Sequence, residues 1–129
     1  MLRGLSVRQP WASLIETGRK SIEIRSWRTH LRGRILIFAS GKIWEGGDCG
    51  YQVGPMGVTL CTVELVDCVE YNDAEHRELA AIPSGVSLPV TKRRFAWVLR
   101  NPQPVERKVA SGRLNLFRVD ATLQAELGL

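Results

Sequence analysis

Cysteine and histidine are scarce in this chain, which has three Cys (Cys49, Cys61, Cys68) and two His (His30, His76) in 129 residues. An odd number of cysteines with no C-x-x-C spacing excludes a disulfide framework, and they read as reduced thiols of a cytoplasmic protein. Neither histidine lies at ligand spacing from a cysteine, so no metal site is expected. Long hydrophobic runs are missing too: nothing approaches the roughly 18–20 apolar residues that span a bilayer. The opening Met-Leu-Arg-Gly-Leu-Ser-Val lacks the apolar segment of a signal peptide. No membrane partner is expected. Acidic residues are few in the first third. Residues 1–44 hold nine Lys or Arg against two Glu, whereas residues 45–129 hold nine against eleven Asp or Glu. A net charge of +5 is thus concentrated at one end of the sequence, which suits a polyanionic ligand and says nothing about fold.

What is present fits one domain over residues 1–129, ordinary in composition at 44% hydrophobic and 24% charged and long enough to bury a core without cross-links. Leu2 to Val7 reads as a first strand. Pro10 stands where a helix begins, and Trp11, Leu14 and Ile15 form the apolar face of a short helix that Gly18 caps. Ser21 to Trp27 alternates as a half-buried strand, Ile22 and Ile24 on one face and Glu23, Arg25 and Trp27 on the other. Arg34 to Ala39 is an almost continuously apolar strand. Residues 40–55, rich in glycine, read as a mobile loop of the kind that borders binding sites. Gly57 to Val69 has the alternation of a long strand. Asn72 and Glu75 make a capping box for a helix to about Ala81, and residues 83–92 form a loop. Phe95 to Leu99 is a strand that Asn101-Pro102 terminates. Residues 104–109 and 114–119 are candidate closing strands, and residues 121–129 a final helical turn. Sequence neighbours are expected to pair in antiparallel fashion. The economical architecture is α+β, mainly β: a small barrel flanked by two or three short helices.

The densest chemistry lies in residues 18–25, where Gly18, Lys20, Glu23 and Arg25 form Gly-x-Lys-x-x-Glu-x-Arg. Two cations and a carboxylate gather beside Trp11 and Trp27. This motif, the preceding Leu5-Ser6-Val7-Arg8-Gln9-Pro10-Trp11-Ala12-Ser13-Leu14-Ile15 and the later Phe95-Ala96-Trp97-Val98 and Asn101-Pro102 resemble the ASCH (activating signal cointegrator-1 homology) domain family. The likeness runs from about residue 4 to residue 119 and is dense over the first 40. It implies a PUA-like β-barrel with a cleft near the first helix and the motif strand. Relatives of that superfold are often RNA-binding modules, and some small family members act as amidohydrolases on acylated cytidine or as ribonucleases. Fold kinship alone does not choose among them.

Lys20 is a candidate phosphate contact or carbonyl polariser, a reading favoured over that of a solvated turn lysine because a compact ammonium suits an anionic ligand. Arg25 can clamp phosphate or pair with Glu23 on the same strand face. In the amidohydrolase-like members a nucleophilic threonine occupies the position of Glu23. Glutamate can act as a base but cannot repeat the hydroxyl chemistry. Trp27 is the candidate base-stacking ring, Trp11 and Trp97 read as core, and Trp44 as a lid residue. Gln9 can read a base edge or cap the helix. Arg28, Arg32 and Arg34 supply a positive rim, which Lys92-Arg93-Arg94 would extend. Glu64 is a possible second carboxylate, more simply an exposed strand residue. The reading is a nucleic-acid-binding domain, for RNA or another single strand, holding its ligand with Gln9, Lys20, Arg25, Trp27, Arg28 and Arg32. The alternative is a metal-independent hydrolase of RNA or of a modified nucleoside, with Lys20 and Glu23 as its catalytic pair. Neither needs a cofactor, and no sequence feature sets an oligomeric state.

Overall fold

The computed structural model describes residues 1–45, 49–89 and 92–129. The glycine-rich loop expected at 40–55 falls in part on residues 46–48, and the 83–92 loop on residues 90–91. Those positions lie outside the described residues.

Strand β1 (Arg3–Gln9) leads into helix α1 (Trp11–Glu16), then strand β2 (Ile22–Arg25), strand β3 (Gly33–Ile43) and strand β4 (Val58–Glu70). Helix α2 (Asp73–His76), strand β5 (Phe95–Pro104), strand β6 (Leu116–Arg118) and helix α3 (Ala121–Glu126) complete the order. All six strands form one sheet, β2-β5-β4-β3-β1-β6. Its ladders are antiparallel except β1 with β3, which run parallel with Arg3 opposite Ile35 and Val7 opposite Ala39. The sequence neighbours β3–β4 and β4–β5 pair in antiparallel fashion as expected, but β1 and β2 do not pair with their neighbours in sequence. Helix α1 and β2 form the crossover between the two parallel strands, and β2 pairs instead with β5.

Local chemistry explains most elements. Pro10 occupies the N-cap of α1, and Gly18 ends the turn after it at φ +82°, a backbone state that glycine adopts without strain. Gln9 accepts at Oε1 from the Ser13 N–H (3.0 Å), satisfying one of the donors a helix leaves free at its start. The continuously apolar run of β3 is explained by burial on both faces. Ile35, Ile37 and Ala39 join Leu5, Val7, Leu60, Val63, Leu65, Trp97 and Leu99 under α1, whereas Leu36 and Phe38 face Phe117, Val119, Leu123 and Leu127. Asn72 caps α2 by accepting from the Glu75 N–H at 3.1 Å. That helix stops at His76 rather than near Ala81; residues 77–81 continue as turns of mixed spacing, with the Ala80 N–H donating to His76 O, Ala81 to Glu78 O and Ile82 to Arg77 O.

Strand pairing leaves β2 and β6 as edges, so hydrogen-bonded strands do not close the barrel. The sheet nevertheless curls back on itself. Arg25 of β2 donates from Nη2 to the carbonyl of Ser6 in β1 at 2.9 Å, although β5, β4 and β3 separate these strands in the sheet. Register shifts in the long strands β3, β4 and β5 supply the bending that such curling needs. A side chain thus spans the seam where the barrel stays open.

Candidate functional site

A cavity of about 1130 Å³ opens along that seam. Ser6, Val7 and Arg8 of β1, Trp11 of α1 and Glu23 to Arg25 of β2 form its base. The end of β3 with Trp44, the segment from Ile82 to Pro89, and residues 110–115 form its walls. Among the described residues, six cations line it (Arg8, Lys20, Arg25, Lys42, Arg94 and Arg113) against one carboxylate, Glu23.

Lys20, Glu23 and Arg25 form a connected triad on the cavity floor. Glu23 Oε2 accepts from Arg25 Nη2 (2.8 Å) and Nε (3.1 Å), while Oε1 lies 3.7 Å from Lys20 Nζ. Lys20 is only 4% exposed, and its Nζ donates to the carbonyl of Ala80 at 2.7 Å and lies 5.2 Å from the centre of the Trp11 ring. Burial pulls the Lys20 ammonium below its ordinary 10.5; Glu23 opposes that shift and Arg25 adds to it. A carboxylate between two cations stabilises both charged forms, which is what keeps such a cluster tolerable away from water.

The strand expected to be half-buried is covered on both faces. Ile22 and Ile24 pack with Ala80, Ala96 and Ile82, and Glu23 on the opposite face is 7% exposed. The cover comes from the chain after α2. Leu79 O accepts from the Ser21 and Ile22 N–H groups (2.8 and 3.1 Å), Ala80 O from Lys20, and Ala81 O from the Tyr51 hydroxyl at 3.0 Å. Arg77 fastens the continuation through Pro83 O (2.9 Å) and Val86 O (2.6 Å). One wall of the cavity is therefore hung from the motif itself.

The structure brings together Lys20, Glu23, Arg25 and Trp11, and it places Gln9, Trp27, Arg28 and Arg32 outside the cavity lining. Gln9 is fully buried, its Nε2 donating to Ser13 Oγ (2.8 Å) and Pro55 O (2.7 Å). Trp27 meets Trp97 edge to face at 4.6 Å and 87°, packed against the core, and its carbonyl accepts from Trp97 Nε1 at 3.2 Å. Arg28 lies over the Phe95 ring at 4.9 Å. Arg32 pairs with Asp67 at 3.6 Å and donates to Leu31 O at 2.8 Å. Glu64 accepts from Asn101 Nδ2 at 3.4 Å, and Arg34 stands opposite it in the β3–β4 ladder, both away from the cavity. Of the basic run before β5, Arg94 lines the cavity, where it donates to Pro89 O, and Arg93 pairs with Glu70 at 3.7 Å.

Sequence reasoning passed over Arg8, Lys42, Arg113 and Tyr51. For Lys42 and Arg113 the available signal was a cation directly after a glycine, at the end of β3 and in the segment before β6 respectively. Tyr51 carried none, because its partner is thirty residues away. Among the described residues, no group of three or more His, Cys, Asp or Glu is arranged to hold a metal ion, and no helix is long and apolar enough to cross a membrane.

Comparison with known proteins follows these features. Activating signal cointegrator 1 of mouse and of human are each 29% identical to the chain over 136 residues, covering 92% of it. The chain spans 22% of the length of these relatives. Among solved structures, ASCH from Zymomonas mobilis superposes with a TM-score of 0.72 at 16% identity, covering 98% of this chain and 92% of the other. A point mutant of the same protein gives 0.73 at 16% identity, covering 98% and 95%. These likenesses establish the PUA-like fold. Residues 5–109 match the ASCH domain, and the chain belongs to the ASCH domain family.

Proposed function

We propose that this ASCH domain binds RNA, as a single strand, in the cleft between β1 and β2. The observation that carries the reading is the charge of the cleft, where among the described residues six cations face one carboxylate. Walls of low dielectric on either side focus that potential on a bound polyanion. Arg25 and Lys20 are already tied to Glu23 and to backbone carbonyls. The groups best supplied for phosphate are therefore the rim residues Lys42 and Arg113, joined by Arg94, which donates to Pro89 O, and by Arg8, which pairs with the exposed Glu45 at 3.5 Å. Lys42 and Arg113 have no ion pair among the described residues.

The hydrolytic alternative draws less support from this geometry. A general base must accept a proton, and Glu23 is held between a guanidinium at 2.8 Å and an ammonium at 3.7 Å. Its oxygens are thus engaged by Arg25 and Lys20 rather than free to meet a substrate proton. The amidohydrolase-like threonine is absent, since Glu23 stands in its place.

Fluorescence anisotropy of a labelled single-stranded RNA, titrated at several salt concentrations, tests the proposal. Saturable binding is expected, with log K falling by about 0.7 per neutralised phosphate for each unit of log salt. Arg94→Ala and Arg113→Ala together should weaken binding and flatten that slope. These rim residues are better probes than Lys20, whose removal also frees Ala80 O. No saturable binding at low salt, or binding indifferent to both substitutions, would overturn the reading.

A further inference from the structure

Two aromatic rings line the cleft, Trp11 and Trp44, meeting edge to face at 5.2 Å with 69° between their planes. The chain itself surrounds Trp11: Tyr51 meets it edge on at 6.0 Å, and the Lys20 ammonium lies over it at 5.2 Å. Trp44 differs. Among the described residues no cation lies over its ring, and it is only half-buried. Its main chain is nonetheless fixed, because its N–H donates to Gln9 O at 2.8 Å and the preceding Ile43 stands opposite Gln9 in the β1–β3 ladder. Two lining cations accompany it, Lys42 two residues earlier in the chain and Arg8, whose Nη1 lies 3.5 Å from the exposed carboxylate of Glu45.

A large apolar ring left partly open to water in a cationic cleft is matched by a ligand that is planar and anionic at once. A nucleotide is such a ligand, its base stacking on the indole while its phosphates meet the cations. In a duplex both faces of an internal base are already stacked, so the match requires an unpaired one. We propose that Trp44 is the stacking platform for an unpaired base of the bound strand, with Arg8 and Lys42 taking the adjacent phosphates. The proposal rests on the reading of the cleft as a nucleic-acid site and specifies which part of the ligand is recognised there. It moves the stacking role expected of Trp27 to a ring on the cleft wall.

The test compares three labelled ligands on the full chain: a single-stranded RNA, its duplex, and a strand of the same length carrying abasic residues. Wild-type protein should bind the intact strand about 5- to 150-fold more tightly than the abasic one, the range expected for one stacked base. Trp44→Ala should lose that preference with an unchanged salt slope, since no charge is removed, and Trp44→Phe should keep most of it. Equal affinity of wild type for intact and abasic strands would overturn the stack while leaving the basic cleft standing. So would a Trp44→Ala protein with undiminished preference, or a duplex bound as tightly as the strand. Absence of any saturable, salt-sensitive binding would remove both readings. The abasic comparison needs only wild-type protein, so it decides the matter even where Trp44→Ala fails to fold.

Discussion

Lys20 is the residue at which packing and electrostatics oppose each other most directly. Its ammonium is nearly inaccessible and depressed below 10.5, mainly by burial. The folded state therefore disfavours the charged form, and the penalty is fully present below the depressed value. It is relieved as pH rises through that value toward 10.5, where the unfolded chain also gives up its proton. Cys61 and Tyr71 work the other way. Burial raises both to about 12, so the unfolded chain ionises first and stability falls between their ordinary values and that point. The sum hides Lys20, but a difference isolates it. Urea unfolding of wild type and Lys20→Met across an alkaline series should show the balance shifting toward wild type as pH approaches 10.5. A difference that stays flat would refute a buried, depressed ammonium. The sequence made Lys20, Glu23 and Arg25 visible as a group because they lie within six positions. The partner that fixes Lys20, Ala80 O, is sixty residues away and has no side-chain signature. The same holds for Gln9: a glutamine before a helix suits a cap or a base edge, and only the arrival of Pro55 O at its amide distinguishes them.

Among the elements, β6 is the least able to hold itself, with three residues on the sheet edge. It is retained through Phe117, whose ring packs on Phe38 at 5.1 Å over Gly4 of β1. A methyl group added at Gly4 would lie 2.6 Å from Phe117 Cζ and 2.8 Å from Phe38 Cε1. Phe38 is 1% exposed and has nowhere to yield. Gly4→Ala should therefore cost about 1–3 kcal/mol, the usual range for overpacking, and lower the thermal midpoint. An unchanged or higher midpoint would show that the rings move apart freely. No sequence pattern reveals this glycine, since its need for space is set by β3 and β6 together. Apolar periodicity did reveal α1, β3 and the first half of β5. It failed at Asn101-Pro102, read as a terminator. There β5 continues to Pro104, with Asn101 at φ +53° and the pair set against Val63 alone, between Arg100 opposite Glu64 and Gln103 opposite Thr62. A bulge absorbs a proline that a regular ladder would reject. Similarly, α2 gives way after His76 to turns of mixed hydrogen-bond spacing that end on Ala81 at φ +60°, and the carbonyls of Leu79, Ala80 and Ala81 go to β2, Lys20 and Tyr51.

For the whole molecule, the decisive feature is a curled sheet that strand pairing leaves open, with the cationic cleft lying in the opening. The charge asymmetry of the sequence translates only in part. Arg8, Lys20, Arg25 and Lys42 come from the basic first third, but Arg94 and Arg113 reach the cleft from the rest, and Arg28, Arg32 and Arg34 lie elsewhere. Parallel pairing of β1 with β3 is what brings β1 to the seam, a long-range choice that local alternation does not encode. At that seam Arg25 serves two attachments, holding Glu23 by two donors and the Ser6 carbonyl by one. Its removal would leave a largely buried carboxylate with only Lys20 and would release the Ser6 carbonyl of β1. Breaking a buried pair costs about 3–5 kcal/mol. Because the Arg25 side chain is 22% exposed, Arg25→Ala should fall near or below the lower end of that range in chemical denaturation. Arg25→Lys should recover little, since an ammonium cannot span Glu23 and Ser6 O as the guanidinium fork does. Arg25→Ala combined with Glu23→Gln should be less destabilised than the sum of the single changes, because the stranded charge is gone. If lysine restored full stability, charge balance alone would account for Arg25, and the seam would be held by the sheet's own curvature.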